Sequence, residues 1–406
     1  MDKNNPVVIV SAARTPFGSF KGSLKGFSAY ELGAMVIEEV IKRAGIEKNS
    51  VDEVFMGCAI EGENEDFMAA CVARQALLKA GLPAETISLT VDKACCSSMV
   101  AAQLAYKSIK MDPSLCVIAV GAECFSRVPF IVGPELRLGL GKRLTHVTIR
   151  DPLIRMGYKD YNPVSVDAGD VALEYHVSRE DQDHWAFMSQ QRYQEAERLG
   201  RFKDEIVPVT IEDEKGNRVV FDKDEFPKPY TTLEKLSKLP TVYGSPTVTA
   251  GNAPGLNDGA SALLLMSQEK ARGFGLEPLG ELVATGSVAD EPRLSTIVPA
   301  SVIKKILVQT SMTLEEIDLI EINEAFAAMP STCCRILSEG DPKKEEEIRN
   351  KTNVNGGAIA IGHPLAASAT RLVMTLMYEM RRRGGGYGIA AICGGLAQGE
   401  GVMIKV

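Results

Sequence analysis

GIEKNSVDEVFMG at Gly45–Gly57 and MTLEEIDLIEIN at Met312–Asn323 carry one local grammar twice in the same chain: each follows a helix and leads through a charged turn into an apolar strand. The first copy follows Ala29–Ala44, where Leu32, Met35, Val36, Val40 and Ile41 recur at spacings of three and four. That spacing, stopped by Gly45, predicts an amphipathic helix with a glycine cap. Around it, Val7–Val10, Val54–Met56, Ile87–Val91 and Val117–Val120 are apolar, β-branched runs of strand length, so strands alternate with helices as in an α/β protein. Farther out, Ile87–Glu123 and Lys351–Gly401 each pass through a small-residue turn, a helix and an apolar strand. A duplicated α/β unit is the expectation.

Between the copies the chain changes character. Arg127–Pro246 is more polar, holds the only tryptophan (Trp185), and contains a helix-like stretch at Arg179–Leu199 followed by a charged, turn-rich segment at Lys215–Lys228. The expected division is a first half at 1–126 plus 247–283, an inserted lobe at 127–246, and a second half at 284–406. A length of 406 residues suits such packed units, because single cores stop growing near roughly 250–300 residues.

Composition narrows the function. With 45% hydrophobic and 24% charged residues the chain can bury a large core, which excludes disordered and fibrous classes. The net charge of −8, with no run of like charge exceeding the short KKEEE stretch at Lys343–Glu347, argues against a nucleic-acid partner. Met1–Gly18 offers only Val7–Val10 as an apolar run, too short for a signal sequence or a span, so a cytoplasmic protein with no membrane partner is expected. Nine cysteines without framework spacing read as free thiols, and four histidines without spaced cysteine pairs give no reason to expect a metal site.

Four patches concentrate chemistry. In VDKACCSSM (Val91–Met99), Cys95 stands at a strand-to-helix turn, where the helix amides and dipole should stabilise a nucleophilic thiolate; inert packing is the bland reading. In NVNGGAIAIGHPLAASATR (Asn353–Arg371), His363 sits between Gly362 and Pro364 at the expected top of a helix, as an acid/base group or a structural one. The strand Ile389–Ile392 ends in CGGLAQG, so Cys393 is followed by glycines whose amides suit an oxyanion hole. In EINEAFA (Glu321–Ala327), Asn323 either caps a helix or orients a water.

In this order the four patches resemble the thiolase family, from Val8 to Val406. Supporting stretches are SAARTPFGSFKGSL (Ser11–Leu24), ARQALLKAGLP (Ala73–Pro83), GAECFS (Gly121–Ser126), DEIVPV (Asp204–Val209) and TVTAGNAPGLNDGASALLLMS (Thr247–Ser267). The resemblance implies duplicated α/β halves packed in layers, with sheets around central helices and an inserted, coenzyme A (CoA)-binding loop domain. It implies CoA-dependent cleavage of a 3-oxoacyl-CoA, or the reverse condensation, through an acyl-cysteine. Carried over by position, Cys95 matches the acylated nucleophile, His363 its activating base, Cys393 the acid/base at the α-carbon, and Asn323 the holder of an oxyanion-hole water. The amides of Cys95 and Gly395 match the other oxyanion hole, and Lys228, Leu239, Tyr243, Ala250 and Pro254 the CoA groove. Coenzyme A is then a substrate, with no permanently bound cofactor or metal, in a homodimer or homotetramer that could include a second subunit type.

Departures from the family pattern gather near the acyl site. A segment that in thiolases commonly reads like HMGxTAE is PVSVDAG at Pro163–Gly169. Pro254 replaces a common serine, Lys228 an arginine and Ala366 a glycine, while Cys96 and Ser98 flank the nucleophile where smaller residues are usual; the Cys58–Arg74 loop with EGENED is a few residues longer. The lost bulk predicts a longer, branched or aromatic acyl chain, with a short-chain acetoacetyl-CoA enzyme as the alternative. A decarboxylating condensing enzyme would need a second histidine where Cys393 stands. A non-catalytic acyl-CoA-binding protein would lack the nucleophile or the base, and both are present.

Overall fold

Runs of β-branched residues buried on both faces build the core of the chain, whose computed structural model describes residues 5–60, 70–133, 148–153, 160–213 and 215–406. The first half supplies β1 (Val7–Arg14), the short β2 (Gly18–Ser19), α1 (Ala29–Ala44), β3 (Glu53–Gly57), α2 (Val72–Lys79), β4 (Ile87–Val91), α3 (Ser97–Met111) and β5 (Cys116–Cys124). Next come β6 (Ile131–Val132), β7 (Ile149–Arg150), α4 (Val164–Glu174), α5 (Arg179–Arg198), β8 (Val209–Glu212), β9 (Arg218–Phe221) and α6 (Leu233–Ser237). The chain returns through β10 (Asn257–Ser267) and α7 (Gln268–Gly273). The second half holds β11 (Gly280–Ala289), α8 (Val298–Thr310), β12 (Leu319–Ile322), α9 (Ala328–Leu337), α10 (Pro342–Lys351), α11 (Ala358–Ile361), α12 (Ser368–Arg383), β13 (Tyr387–Gly394) and β14 (Gln398–Lys405).

The duplication is visible in strand order. The first half runs β4-β3-β5-β10-β1, and the second repeats it as β12-β13-β14-β11, with a parallel bridge from Ile320 to Thr352 standing where β4 would be. Pairing senses match as well: β3 to β5 and β12 to β13 are parallel, whereas β5 to β10 and β13 to β14 are antiparallel. The two sheets are not separate bodies. Val7, Val8 and Ile9 pair with Leu282, Glu281 and Gly280, joining both halves into one ten-stranded sheet.

Period-2 alternation assigns each face. Val8, Val10, Ile118, Val120, Leu264 and Met266 pack under α1 and α2, while Val7, Ile9, Val117, Ala119, Leu263 and Leu265 turn inward to α3 and α12. From the other half Ala390, Ile392, Val402 and Ile404 reach the same central pair, and Ile389, Ala391 and Met403 face α8 and α9. The expected layers, sheets around central helices, are thus present. The helix at Ala29–Ala44 ends as expected, with Gly45 in the left-handed region at φ 66°. The lobe is fastened to β1 by the buried Arg14, which pairs with Glu205 at 2.8 Å and Asp224 at 2.7 Å. Most of the Cys58–Arg74 loop lies outside the described residues.

Candidate active site

The central helices aim two turns at each other. After β4 the chain makes a 3-10 turn at Ala94–Cys96 before α3 begins at Ser97, and Ala94 takes a left-handed φ of 49°. A non-glycine residue there stores about 1–3 kcal/mol of strain, and local bonds hold it: Ala94 N–H donates to Asp92 at 2.9 Å, while Ser97 Oγ donates to the Ala94 carbonyl at 2.6 Å. This kink pushes Cys95 out of the helix line toward α12.

Opposite it, His363 follows Gly362, whose φ of 109° and whose crowding against Asn257 require glycine, since an added Cβ would lie 2.8 Å from the Asn257 amide carbon. Pro364 does not open α12 as the sequence suggests. It precedes a 3-10 turn at Leu365–Ala367, and α12 starts at Ser368. The delay has a use: Ser368 Oγ donates to the Pro364 carbonyl at 3.1 Å, so the single hydroxyl proton is taken and the serine oxygen accepts from His363 Nδ1 at 2.5 Å. That fixes the proton on Nδ1 and leaves the Nε2 lone pair facing Cys95 Sγ, 3.2 Å away.

Asn323 completes this corner, with Nδ2 3.3 Å from His363 Nε2 and Oδ1 buried without a hydrogen-bond partner among the described residues. It caps no helix, because α9 begins only at Ala328. Cys393 is the last residue but one of β13, beneath the nucleophile turn: Gly394 is so close to Cys96 Sγ and the Lys93 carbonyl that a Cβ would lie 2.8 Å from each. Gly395 follows in the same hairpin turn, ahead of Leu396 and Ala397, both at φ 59°. Cys393 Sγ rests 3.1 Å from Met329 Sδ, within an apolar cluster that includes Val298, Ala397, Val164 and Phe326. Val164, from the departing Pro163–Gly169 segment, therefore packs against the cluster that holds the second thiol.

The electrostatics correct one expectation. The helix dipole does not prevail at Cys95. Although part-exposed, the thiol is enclosed by protein, and that burial, with the neighbouring Cys393 next, pushes its pKa well above the ordinary thiol value. Burial likewise pushes Cys393 up to about 12, and burial with the nearby Arg371 pushes His363 down to about 3. At neutral pH the resting groups are two thiols and a neutral imidazole. Beside them Glu123, raised to about 7 by burial, accepts backbone N–H bonds from Ala59, Ile60 and Ala366 and so ties both halves together.

A groove of about 460 Å³ opens between α5, the Lys228–Thr231 turn, α6 and the Ala250–Ala253 return. Of the expected CoA residues, Lys228, Leu239 and Ala250 line it; Pro254, which follows the lining residue Ala253, and Tyr243, 77% exposed, are not among the lining residues. Lys228 Nζ sits 4.7 Å from the Phe226 ring centre, and burial lowers its pKa. Ile359 forms one wall of the groove and also belongs to α11, four residues before His363. Among the described residues there is no cluster of side chains that could hold a metal, and no helix is long and apolar enough to cross a membrane. Ser368, Asn257, Met329 and Glu123 had no local sequence signal, since each acts through a partner distant in the chain.

Comparison with known proteins gives the same outline. The thiolase N-terminal domain model matches residues 7–269 and the thiolase C-terminal domain model residues 276–406. The acetyl-CoA acetyltransferase of Syntrophomonas wolfei is 39% identical over 406 residues, covering 98% of each chain. A β-ketoadipyl-CoA thiolase of Pseudomonas aeruginosa is 40% identical over the same length and coverage. Among solved structures, the Bacillus anthracis acetyl-CoA acetyltransferase superposes with a TM-score of 0.90 at 37% identity, covering 99% of this chain and 98% of that one. Human mitochondrial 3-ketoacyl-CoA thiolase in complex with CoA gives 0.89 at 33% identity, with the same coverage.

Proposed function

The chain belongs to the thiolase family and is an acyltransferase, and from that premise we propose that Cys95, His363, Asn323 and Cys393 carry out thiolysis of a 3-oxoacyl-CoA whose acyl chain is longer, branched or aromatic. The observation that carries the assignment of roles is the contact of Cys95 Sγ with His363 Nε2 at 3.2 Å, with Asn323 on the same nitrogen at 3.3 Å. His363 Nε2 takes the Cys95 proton as the sulfur adds to the 3-oxo carbon. The bond between C2 and C3 breaks, its electron pair stays on C2 as a thioester enolate, and Cys393 gives that carbon its proton, releasing acetyl-CoA. CoA thiol then adds to the acyl-Cys95 thioester, returns a proton to Cys393, and leaves with the acyl group, while His363 returns its proton to Cys95. One thioester is exchanged for another, so no step stalls on an over-stable ester. The protonated His363 with a water on Asn323 holds one developing oxyanion, and the amides of Cys95 and Gly395 hold the other.

In this reading the lobe, 127–246, supplies the CoA groove; Lys228 and Lys235 on its walls offer positive charge to phosphates in an acidic protein. The acyl preference rests on Val164 and its apolar neighbours beside Cys393. Each extra buried methylene contributes about 0.8 kcal/mol, nearly fourfold in specificity. Comparing kcat/KM for C4, C8 and aryl 3-oxoacyl-CoA esters should place the maximum above C4; a maximum at C4 returns the protein to the short-chain reading, in which Ala366 fills the space. We further propose a homo-oligomer, with a second subunit type as the variant. Strand β4 is the open edge of the sheet, and its Ile87 and Leu89 are 61% and 47% exposed. Light scattering should find a dimer or tetramer that Leu89→Lys dissociates; a monomeric wild type at micromolar concentration rejects this.

A further inference from the structure

Glu324 takes no part in the steps above, yet it is buried beside Asn323 with every bond satisfied from outside its own segment. Its Oε1 accepts from Trp185 Nε1 at 2.9 Å and from Asn353 Nδ2 at 2.9 Å. Its Oε2 accepts from Ser189 Oγ at 2.8 Å and from the Ile359 amide at 3.0 Å. These donors come from lobe helix α5, from the loop after α10, and from α11. Space is cut to fit the carboxylate: a Cβ on Gly357 would lie 2.3 Å from the Glu324 carboxyl carbon, and the Gly357 amide donates to Ser189 Oγ at 3.0 Å.

The bonds continue in both directions. Toward the chemistry, Asn353 also clamps the last residue of β12, accepting from the Ile322 amide and donating to its carbonyl, each at 2.8 Å, and Asn323 is the next residue. Toward the groove, the Ile359 carbonyl accepts from Gln190 Nε2 at 3.0 Å, and Gln190 Oε1 accepts from the Lys228 amide at 2.9 Å. Beyond the sheet bond of the Asn323 amide to the Ala391 carbonyl at 3.0 Å, the turn carrying Asn323 is therefore held against the groove wall by one carboxylate rather than by its own helix. A carboxylate suits this place because all four of its neighbours donate; a carboxamide would turn an NH2 group against two of them.

We propose that Glu324 is a positioning residue, fixing Asn323 against His363 by locking the β12–α9 turn to lobe helix α5 and to α11. The proposal rests on the thiolase reading of Asn323 and His363. Its expected signature is a loss of kcat without loss of CoA affinity, because the groove walls stay in place while the turn relaxes. Displacement of a reacting group by about 1 Å costs roughly 10²-fold in rate.

The test is steady-state thiolysis by Glu324→Gln in the full-length enzyme, with kcat expressed per active site titrated by radiolabelled acetyl-CoA and with Tm recorded alongside. The result expected is a kcat per titrated site lower by about 10²-fold with a KM for CoA within about threefold of wild type. A kcat per titrated site equal to wild type, whatever the Tm, overturns the proposal, as does a loss confined to KM. Should Glu324→Gln not fold, Trp185→Phe removes one donor and leaves the carboxylate. It should lower kcat per titrated site by about tenfold, the low end of the worth of one hydrogen bond to a charged group, and an unchanged value overturns the proposal. A wild-type protein that neither cleaves 3-oxoacyl-CoA nor takes label on Cys95 overturns the function itself, an outcome distinct from a wild type that reacts and a variant that reacts equally well.

Discussion

Replacing Cys95 by serine should lower thiolysis by at least about 10⁴-fold, the scale on which removal of a nucleophile disables a unit of groups that act together. Three features set that size. A serine alkoxide is far more basic than a thiolate, and the base in contact with this position, His363, is pushed down to about 3 by burial and Arg371. An acyl-serine ester is also more stable than the acyl-CoA it must regenerate, so any acylated variant would stall. Finally, the strained Ala94 turn aims this one side chain at His363 Nε2. Peptide mass spectrometry after incubation of the wild type with acyl-CoA should place the adduct on Cys95; an adduct on Cys96 or Cys393, or a serine variant within tenfold of wild type, overturns the assignment.

The same pair fixes the pH behaviour. Because His363 is held neutral far below its ordinary value and the Cys95 thiol is pushed up, alkylation of Cys95 by iodoacetamide should show no inflection near the ordinary histidine value and should rise only in alkaline solution. A plateau above about pH 6, the mark of a thiolate–imidazolium pair, contradicts that. For stability the sign follows from proton counts. Between about 3 and the ordinary value near 6.5 the unfolded chain binds a proton on this histidine and the folded chain does not, so the contribution is present above that window and is lost as pH falls through it.

Local signals made much of this legible. Glycine stops and spacings of three and four marked α1 within the residue, and the repeated turn-into-strand grammar anticipated a strand order that recurs in both halves. Each thiol and the histidine stood at a strand end or beside glycine, where chain direction changes and a side chain is presented. What stayed hidden depends on distance. Burial, which overrides the helix dipole at Cys95, is a property of α12 and β13 closing over a turn some 270 residues earlier in sequence, as the His363 contact records with a separation of 268. Ser368 fixes the histidine tautomer only because a 3-10 turn, not a first helical turn, follows Pro364. Glu324 gave no local sign of its role, because its partners lie at Trp185, Ser189, Asn353 and Ile359. For the groove, Lys228 and Ala250 are among the lining residues that the resemblance pointed to, whereas Tyr243, at a left-handed φ of 53°, is exposed and is not among them.

Cys393→Ala should lower carbon–carbon cleavage by about 10²–10⁴-fold, the range for a positioned proton-transfer group, while impairing thioester exchange less. The two halves of the reaction differ in what they expel. Exchange between acetyl-CoA and Cys95 expels the CoA sulfur, which leaves as a thiolate far more readily than carbon and so depends less on the proton from Cys393; cleavage releases a carbanion at C2, which needs it. Cys393 is suited to the second task, since burial pushes it up to about 12 and so keeps it protonated until a stronger base, the carbanion, forms beside it. Its contact with Met329 Sδ at 3.1 Å, inside an apolar cluster, gives that proton a thioether, a weak acceptor, as its partner. Measuring label exchange between CoA and acetyl-CoA alongside thiolysis of a 3-oxoacyl-CoA separates the steps. Near-wild-type cleavage by the alanine variant would remove Cys393 from the proton relay, and an equal loss in both reactions would assign it to binding rather than to the α-carbon.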